Sequence, residues 1–145
     1  MKRESIAHQF VEFIPEQLDE GVVYVTIEYA TAIHRCCCGC GTEVTTNFSP
    51  TDWKLIFDGE TISLDPSVGN WSFPCRSHYW IRRNKVVWAA QMSRHQIDAG
   101  RARDRSLKAA YFDSASTTSE AEAASNLKES RDKRLKQRVK RWFSR

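Results

Sequence analysis

Four of the five cysteines in this chain fall within five consecutive residues, in the segment HRCCCGCG that spans His34 to Gly41. In a reducing compartment, clustered cysteines are more often metal ligands than disulfides, and zinc prefers four nitrogen or sulfur ligands in a tetrahedron. Gly39 and Gly41 would let the backbone turn tightly beneath a metal ion. The segment therefore predicts a zinc site, and it requires a fold whose loops can bring four such ligands together.

A second group of ligands lies about 35 residues later, where Cys75 and His78 have C-x-x-H spacing in PCRSH. The candidates outnumber the four positions of a tetrahedral site. One arrangement is a knuckle of the form Cys37-x-x-Cys40, and another uses Cys36, Cys38 and Cys40 in a sharper turn. The candidates for the four positions are His34, Cys36, Cys37, Cys38, Cys40, Cys75 and His78.

The first 90 residues have the pattern of short strands separated by turns. The runs HQFVEFI, GVVYVTIEY, TEVTT, DWKLIFDGETISL and HYWIRRNKVVWA are rich in β-branched and aromatic residues. Asp58-Gly59 and Arg83-Asn84 mark turns within the last two runs, since tight hairpins need residues that accept positive φ. We expect six or seven strands, mostly antiparallel, and a mainly β fold: a small zinc-stabilised antiparallel β domain with C-terminal helices, of the α+β class.

From Ala89 onward the composition of the chain changes. AAQMSRHQIDAGRARDRSLKAAYF favours a helix interrupted at Gly100, DSASTTSE resembles a linker, and EAEAASNLKESRDKRLKQRVKRWF has high helix propensity. We therefore predict a zinc-binding β-rich domain over residues 1–90 and a helical C-terminal extension over residues 91–145.

The net charge of +4 comes from the C-terminal end, because residues 128–145 hold nine Lys and Arg against two acidic residues. Such a tail could contact the phosphates of nucleic acid or lie on an anionic membrane. No run approaches the ~20 apolar residues that span a bilayer, and the N-terminus lacks the pattern of a signal peptide. We expect a cytoplasmic protein with no transmembrane segment.

The segments YATAIHRCCCGCG and SPTDWKLIFDGETISLDPSVGNWSFPCRSHYWI resemble a bacterial family of small cysteine-rich proteins. The genes of that family lie beside those of ubiquitin-like modifiers and of their activating- and conjugating-enzyme homologues. The resemblance covers about the first two thirds of the chain and does not extend past about Ala90. The family pattern is HxCxCGCG followed by GNWxxPCxSHY, and it matches His34, Cys36, Cys38, Cys40, Gly69, Asn70, Trp71, Pro74, Cys75, Ser77 and His78.

The resemblance favours one set of metal ligands, in which Cys37 falls on a variable position of the pattern. That set is a closed four-thiolate zinc site of Cys36, Cys38, Cys40 and Cys75. A closed site of this kind is structural, because catalytic zinc keeps one position open for water.

The family is similar to proposed proteases that trim or remove the ubiquitin-like modifier with a serine nucleophile and a histidine base. The resemblance implies Ser77 as the nucleophile and His34 or His78 as the base. Because Ser77 and His78 are adjacent, a strand would point them to opposite faces, so Ser77 with His34 is the better couple. Ser67 or Ser72 with His78 is the other option, and Asp52, Asp58 and Asp65 are candidates for a third member.

The first functional hypothesis is a zinc-stabilised, serine-type protease or isopeptidase that matures or deconjugates a bacterial ubiquitin-like protein. Its partners would be that protein and its activating and conjugating enzymes. One alternative is a non-catalytic zinc-binding adaptor in the same conjugation pathway. The other is a nucleic-acid-binding zinc protein, which depends on the basic tail.

Overall fold

The structure, a computed structural model, describes residues 1–116 of the chain. These residues form eight strands, arranged in two four-stranded sheets, and one helix over residues 94–116. The strands are β1 Ala7–Phe10, β2 Val22–Thr26, β3 Thr31–Arg35, β4 Glu43–Asn47, β5 Lys54–Phe57, β6 Ile62–Gly69, β7 His78–Arg82 and β8 Lys85–Trp88. The prediction of a mainly β, α+β chain is confirmed.

The first sheet has the order β1-β2-β3-β4 and carries the cysteine segment between its last two strands. Strands β2, β3 and β4 are antiparallel, whereas β1 pairs with β2 in parallel. The sequence did not predict β3, whose residues alternate between half-buried and buried positions. One of its buried residues is His34. A polar residue at a buried position interrupts the alternation of apolar and polar residues from which a strand is usually predicted.

The second sheet is an antiparallel meander with the order β5-β6-β7-β8. Both predicted turns are confirmed. Gly59 has a φ of 100° between β5 and β6, and Arg83 and Asn84 have φ values of 50° and 60° between β7 and β8. Positive φ at both central residues is typical of the tight turns that join twisted antiparallel strands.

Both sheets contribute side chains to one apolar core. In β7 the inward residues Tyr79 and Ile81 are fully buried, while His78 and Trp80 alternate with them on the outer face. The other core residues are Ile6, Val23, Val25, Ala32, Cys36, Cys37, Val44, Ile62, Leu64, Val68 and Val86. The same alternation places Ser77, the residue before β7, on the buried side and His78 on the outer face.

The chain divides into two units, Met1–Gly100 and Arg101–Arg145. The helix begins after Ser93, whose Oγ accepts a hydrogen bond from the backbone N–H of Gln96, while the Gln96 side chain accepts one from the Ser93 N–H. This reciprocal pair is a capping box. Contrary to the prediction, the helix continues through Gly100 and includes residues 113–116 of the expected linker. The predicted second helix and basic tail lie outside the described residues.

Candidate functional site

The loop between β3 and β4 holds four cysteines in a tight turn. It is closed by a hydrogen bond from the Cys36 N–H to the Thr42 carbonyl, at 2.8 Å, and by one from the Gly39 N–H to the Cys36 carbonyl, at 3.0 Å. Gly39 has a φ of 83°, and a Cβ at this position would clash with the Met1 backbone. Glycine is therefore required here both by the backbone conformation and by the close approach of the N-terminal segment.

The loop between β6 and β7 brings Cys75 to the same place. Its ends are joined by a 2.9 Å hydrogen bond from the Asn70 N–H to the Ser77 carbonyl, next to the strand pair of Gly69 and His78. Two further turns, at Phe73 and Arg76, curl the loop back on itself. As a result Cys75 Sγ lies 4.0 Å from Cys36 Sγ, although 39 residues separate them in the chain.

We call Cys36, Cys38, Cys40 and Cys75 the cysteine cluster. Their four Sγ atoms all lie within 4.8 Å of one another, and those of Cys36 and Cys38 are 3.3 Å apart. In a tetrahedral zinc site with Zn–S bonds of about 2.3 Å, the sulfur atoms are about 3.8 Å apart. The cluster therefore has the donor set and spacing to hold a metal ion, and it consists of the four cysteines that the resemblance favours.

The thiols of the cluster differ in acidity. A hydrogen bond with Thr42 lowers the pKa of Cys40 to about 6, whereas burial, followed by the hydrogen bond with Cys36, raises the pKa of Cys38. Thiols must lose their protons to become metal ligands. Cys40, at the exposed edge of the cluster, therefore loses its proton more readily than Cys38 does.

Cys37 and His34 point into the core, away from the cluster. Burial raises the pKa of the Cys37 thiol to about 12 and lowers the pKa of His34 to about 4, so both are neutral at pH 7. His34 Nε2 lies 2.9 Å from the Tyr79 hydroxyl, and within residues 1–116 His34 Nδ1 has no hydrogen-bond partner. The predicted couple of Ser77 with His34 is thus not hydrogen-bonded in the described part of the chain.

A serine and a histidine do meet on the outer face of the second sheet. Ser67 Oγ lies 2.9 Å from His78 Nε2. The contact depends on an irregularity in β6, where Leu64 faces Ile81 and Val68 faces Tyr79, so that four steps along β6 match two along β7. Bulges of this kind redirect side chains and are common beside active sites. This bulge turns Ser67 towards His78, and Ser67 with His78 is one of the pairs that the sequence offered as an alternative to Ser77 with His34.

The orientation of the His78 ring is determined on three sides. Its Nδ1 lies 3.2 Å from the carbonyl oxygen of Ala90, and its ring packs against Trp71 and Trp80 at centroid distances of 4.8 and 5.5 Å. A carbonyl oxygen can only accept, so Nδ1 carries the proton and Nε2 of the neutral ring is the acceptor. In that tautomer Ser67 donates its hydroxyl proton to His78 Nε2, which is the hydrogen bond of a serine–histidine couple.

Ser77 lies in a different environment. It is 4% exposed, and its Oγ lies 3.0 Å from Cys36 Sγ and 2.8 Å from Asn70 Nδ2. Its adjacent residue His78 points to the opposite face, as the strand argument predicts. The structure therefore associates Ser77 with the cysteine cluster and His78 with Ser67.

Two of the aspartates considered as third members interact elsewhere. Asp58 accepts hydrogen bonds from Thr61 and Glu60, which lower the pKa of its carboxyl, and Asp52 accepts one from the Ser49 hydroxyl. Asp65 is exposed and lies two residues before Ser67. The hydrogen-bond partner of His78 Nδ1 is the Ala90 carbonyl.

The model of one protein family, described as bacterial ubiquitination-like system serine protease (BubE), matches residues 10–89. The matched region contains β2 to β8, the cysteine cluster, and both Ser67 and His78. The chain belongs to the BubE family. No curated protein and no solved structure matches the chain. In residues 1–116 of this BubE member, no helix is long and apolar enough to cross a membrane.

Sequence reasoning assigned no role to two groups of this BubE chain that contact the candidate residues. Asn70 belongs to the GNW motif, and its place in that motif was the available signal, but only the structure shows its contact with Ser77. The Ala90 carbonyl carries no sequence signal, because a backbone acceptor is common to all residue types.

Proposed function

We propose that this chain is a serine peptidase that cuts an amide bond at the C-terminus of a bacterial ubiquitin-like protein, with Ser67 as the nucleophile and His78 as the base. The observation that carries the proposal is the 2.9 Å contact of Ser67 Oγ with a His78 ring whose other nitrogen bonds the Ala90 carbonyl. Membership of a serine protease family in a ubiquitination-like system supports the reaction class.

The geometry supports a conventional acyl transfer. Ser67 Oγ attacks the carbonyl carbon of the scissile amide while its proton passes to His78 Nε2. His78 then gives that proton to the leaving amine, and the C–N bond breaks to leave an ester on Ser67. Water, deprotonated by the same His78 nitrogen, hydrolyses the ester and restores both residues.

Accessibility favours Ser67 over Ser77 as the nucleophile. Ser67 is half-buried on the outer face of the sheet, where a substrate can approach, whereas the Ser77 side chain is enclosed by Asn70 and Cys36. A serine that attacks a protein substrate must reach the scissile carbonyl. For this reason Ser67 with His78 replaces Ser77 with His34, the couple that the strand argument favoured from the sequence.

A groove that reaches the segment immediately before Ser67, but is not lined by Ser67 or His78 themselves, could receive the substrate chain. It has a volume of about 620 Å³, and its wall includes Asp65 and Pro66, the two residues that precede the proposed nucleophile. Phe48, Trp53 and Leu55 supply apolar lining. The scissile bond would be either the peptide bond of a C-terminal extension or the isopeptide bond of a conjugate.

The cysteine cluster would bind zinc through four thiolates and leave no position for water, which makes the ion structural. The cluster joins the loop that carries Cys75 to the loop after β3, and His78 follows Cys75 by three residues. The metal would therefore act on catalysis only by holding the backbone from which His78 projects.

The test uses a fluorophosphonate probe, which labels activated serines whatever their natural substrate. We expect one labelled serine, identified as Ser67 by tandem mass spectrometry, and no labelling of Ser67→Ala. Ser63→Ala is the matched control, because Ser63 lies on the same strand and, within residues 1–116, its hydroxyl only accepts a bond from the exposed Arg83 N–H. Cleavage is followed by mass on the ubiquitin-like protein of the same system, carrying a C-terminal extension.

The outcomes separate the hypotheses. Labelling of Ser77 instead of Ser67 would overturn the proposed nucleophile and restore the other serine. An unlabelled protein that binds the ubiquitin-like protein without cutting it would overturn the enzyme proposal in favour of an adaptor. The nucleic-acid hypothesis depends on residues 128–145, which lie outside the described part of the chain.

A further inference from the structure

Ser77 and Asn70 form a buried polar pair against one sulfur of the cysteine cluster. Asn70 is 7% exposed, Ser77 4% and Cys36 2%. Asn70 Nδ2 donates to Ser77 Oγ at 2.8 Å and to Cys36 Sγ at 3.5 Å, and Ser77 Oγ lies 3.0 Å from the same sulfur. Buried polar groups are costly unless they are paired, and Cys36 Sγ is placed to accept a hydrogen bond from each of these two residues.

The direction of the hydrogen bonds follows from the chemistry of the three groups. An amide nitrogen only donates, so the Ser77 oxygen accepts from Asn70. The single hydroxyl proton of Ser77 is then available for Cys36 Sγ. A thiolate accepts such bonds more strongly than a neutral thiol does, because hydrogen bonds to ionised groups are shorter and stronger.

We infer that Asn70 and Ser77 are positioning residues that hold the Cys36 thiolate in the metal site through two converging hydrogen bonds. The inference rests on the proposal that the cysteine cluster binds zinc. It gives Ser77 a role that needs no access to substrate. It also accounts for an Asn and a Ser at the two ends of the loop that carries Cys75.

The same two residues join the two loops that supply the thiolates. Their backbones close the β6–β7 loop through the Asn70 N–H and the Ser77 carbonyl, while their side chains reach Cys36 in the β3–β4 loop. Ser77 Oγ also lies 3.6 Å from Cys75 Sγ. Groups that bond a metal ligand from outside typically change metal affinity by about 10- to 100-fold when removed.

The experiment compares metal binding by the wild type, Ser77→Ala and Asn70→Ala in the full chain. We expect each variant to release Zn²⁺ to a chelating dye with a dissociation constant raised about 10- to 100-fold. With Co²⁺ in the site, the sulfur-to-cobalt charge-transfer band should move to lower energy, because a sulfur that has lost a hydrogen bond is a stronger electron donor. A residue that only supports the fold would not shift that band.

Two further variants keep the test decisive. Ser77→Thr retains the hydroxyl and should keep the wild-type band, and Ser63→Ala, on the outer face, should match the wild type in both measurements. Ser77→Ala and Asn70→Ala with unchanged dissociation constants and unchanged Co²⁺ spectra would overturn the inference. A wild-type chain that takes up no stoichiometric Zn²⁺ would instead overturn the metal proposal itself, and fluorophosphonate labelling of Ser67 reports on the peptidase proposal independently of either result.

Discussion

Replacement of Gly69 by Ala tests how the proposed base is positioned. Gly69 pairs with His78 across β6 and β7, and a Cβ at Gly69 would lie 2.8 Å from Cε2 and 3.2 Å from Cδ1 of Trp71. Non-bonded carbon atoms are at their optimum at about 3.5–4.0 Å, so the indole must retreat by roughly 1 Å. Because Trp71 packs on the His78 ring, the ring loses one of the contacts that orient it.

Two magnitudes follow from this displacement. Overpacking of this kind costs about 1–3 kcal/mol of unfolding free energy. A misplacement of about 1 Å in a reacting group can cost about 100-fold in rate. We therefore expect Gly69→Ala to lower kcat/KM by about 100-fold while the chain stays folded.

The assay measures the rate of fluorophosphonate labelling and kcat/KM for the extended ubiquitin-like substrate, with thermal unfolding recorded in parallel. Gly100→Ala is the matched control, because a Cβ at Gly100 would meet no atom of the described residues 1–116 within 4 Å beyond its own helix backbone. It should leave both rates unchanged. Adding Trp71→Ala to Gly69→Ala should relieve the clash and recover stability without recovering activity. A Gly69→Ala protein with wild-type rates would refute the role of Trp71 in positioning His78.

Three further outcomes are expected. Ser67→Ala should lower kcat by about 1,000-fold or more with little change in stability, measured by cleavage and thermal unfolding; equal kcat values would contradict the mechanism. Cys38→Ser should lose stoichiometric zinc by elemental analysis, whereas Cys37→Ser should retain it. For His34, whose pKa is lowered to about 4 by burial, the unfolded chain binds the proton more tightly, so stability is lost as pH falls below 6.5. Between about pH 8 and pH 5, the unfolding free energy of the wild type should fall by about 2 kcal/mol more than that of zinc-saturated His34→Leu. Denaturant unfolding at each pH measures both values, and an equal fall in the two proteins would contradict this effect.

Much of the fold could be predicted because its signals are local. The β-branched runs, the turns at Asp58-Gly59 and Arg83-Asn84, and the helix after Ala90 each depend on a few neighbouring residues. Strand β3 was missed because its buried histidine breaks the apolar pattern. The bulge in β6 was missed because strand register is a property of two strands, and a single segment does not reveal it.

The candidate site divides in the same way. The cysteine segment predicts a metal site because clustered thiols of this density are typical of metal ligands, and the family pattern selects Cys75 as their distant partner. The choice between Ser67 and Ser77 needed the tertiary structure. Ser77 precedes His78 in the chain, whereas Ser67 lies near it across the sheet. The faces to which β6 and β7 direct their side chains determine which serine contacts His78.

The sequence by itself determined that this chain forms strands, that its cysteines gather, and that it belongs with proteins of a ubiquitination-like system. These conclusions follow from residue types and from short spacings along the chain, which do not depend on the tertiary structure. The tertiary structure alone decided which side chains share a hydrogen bond. Ser67 reaches His78 because the β6 bulge turns it outward, while Ser77, next to His78 in the chain, faces the sulfur of Cys36. The physical reason is that successive residues of a strand point to opposite faces. The side chains of Ser77 and His78 are therefore kept apart although they are neighbours in sequence, whereas the pairing of β6 with β7 brings Ser67 and His78 together.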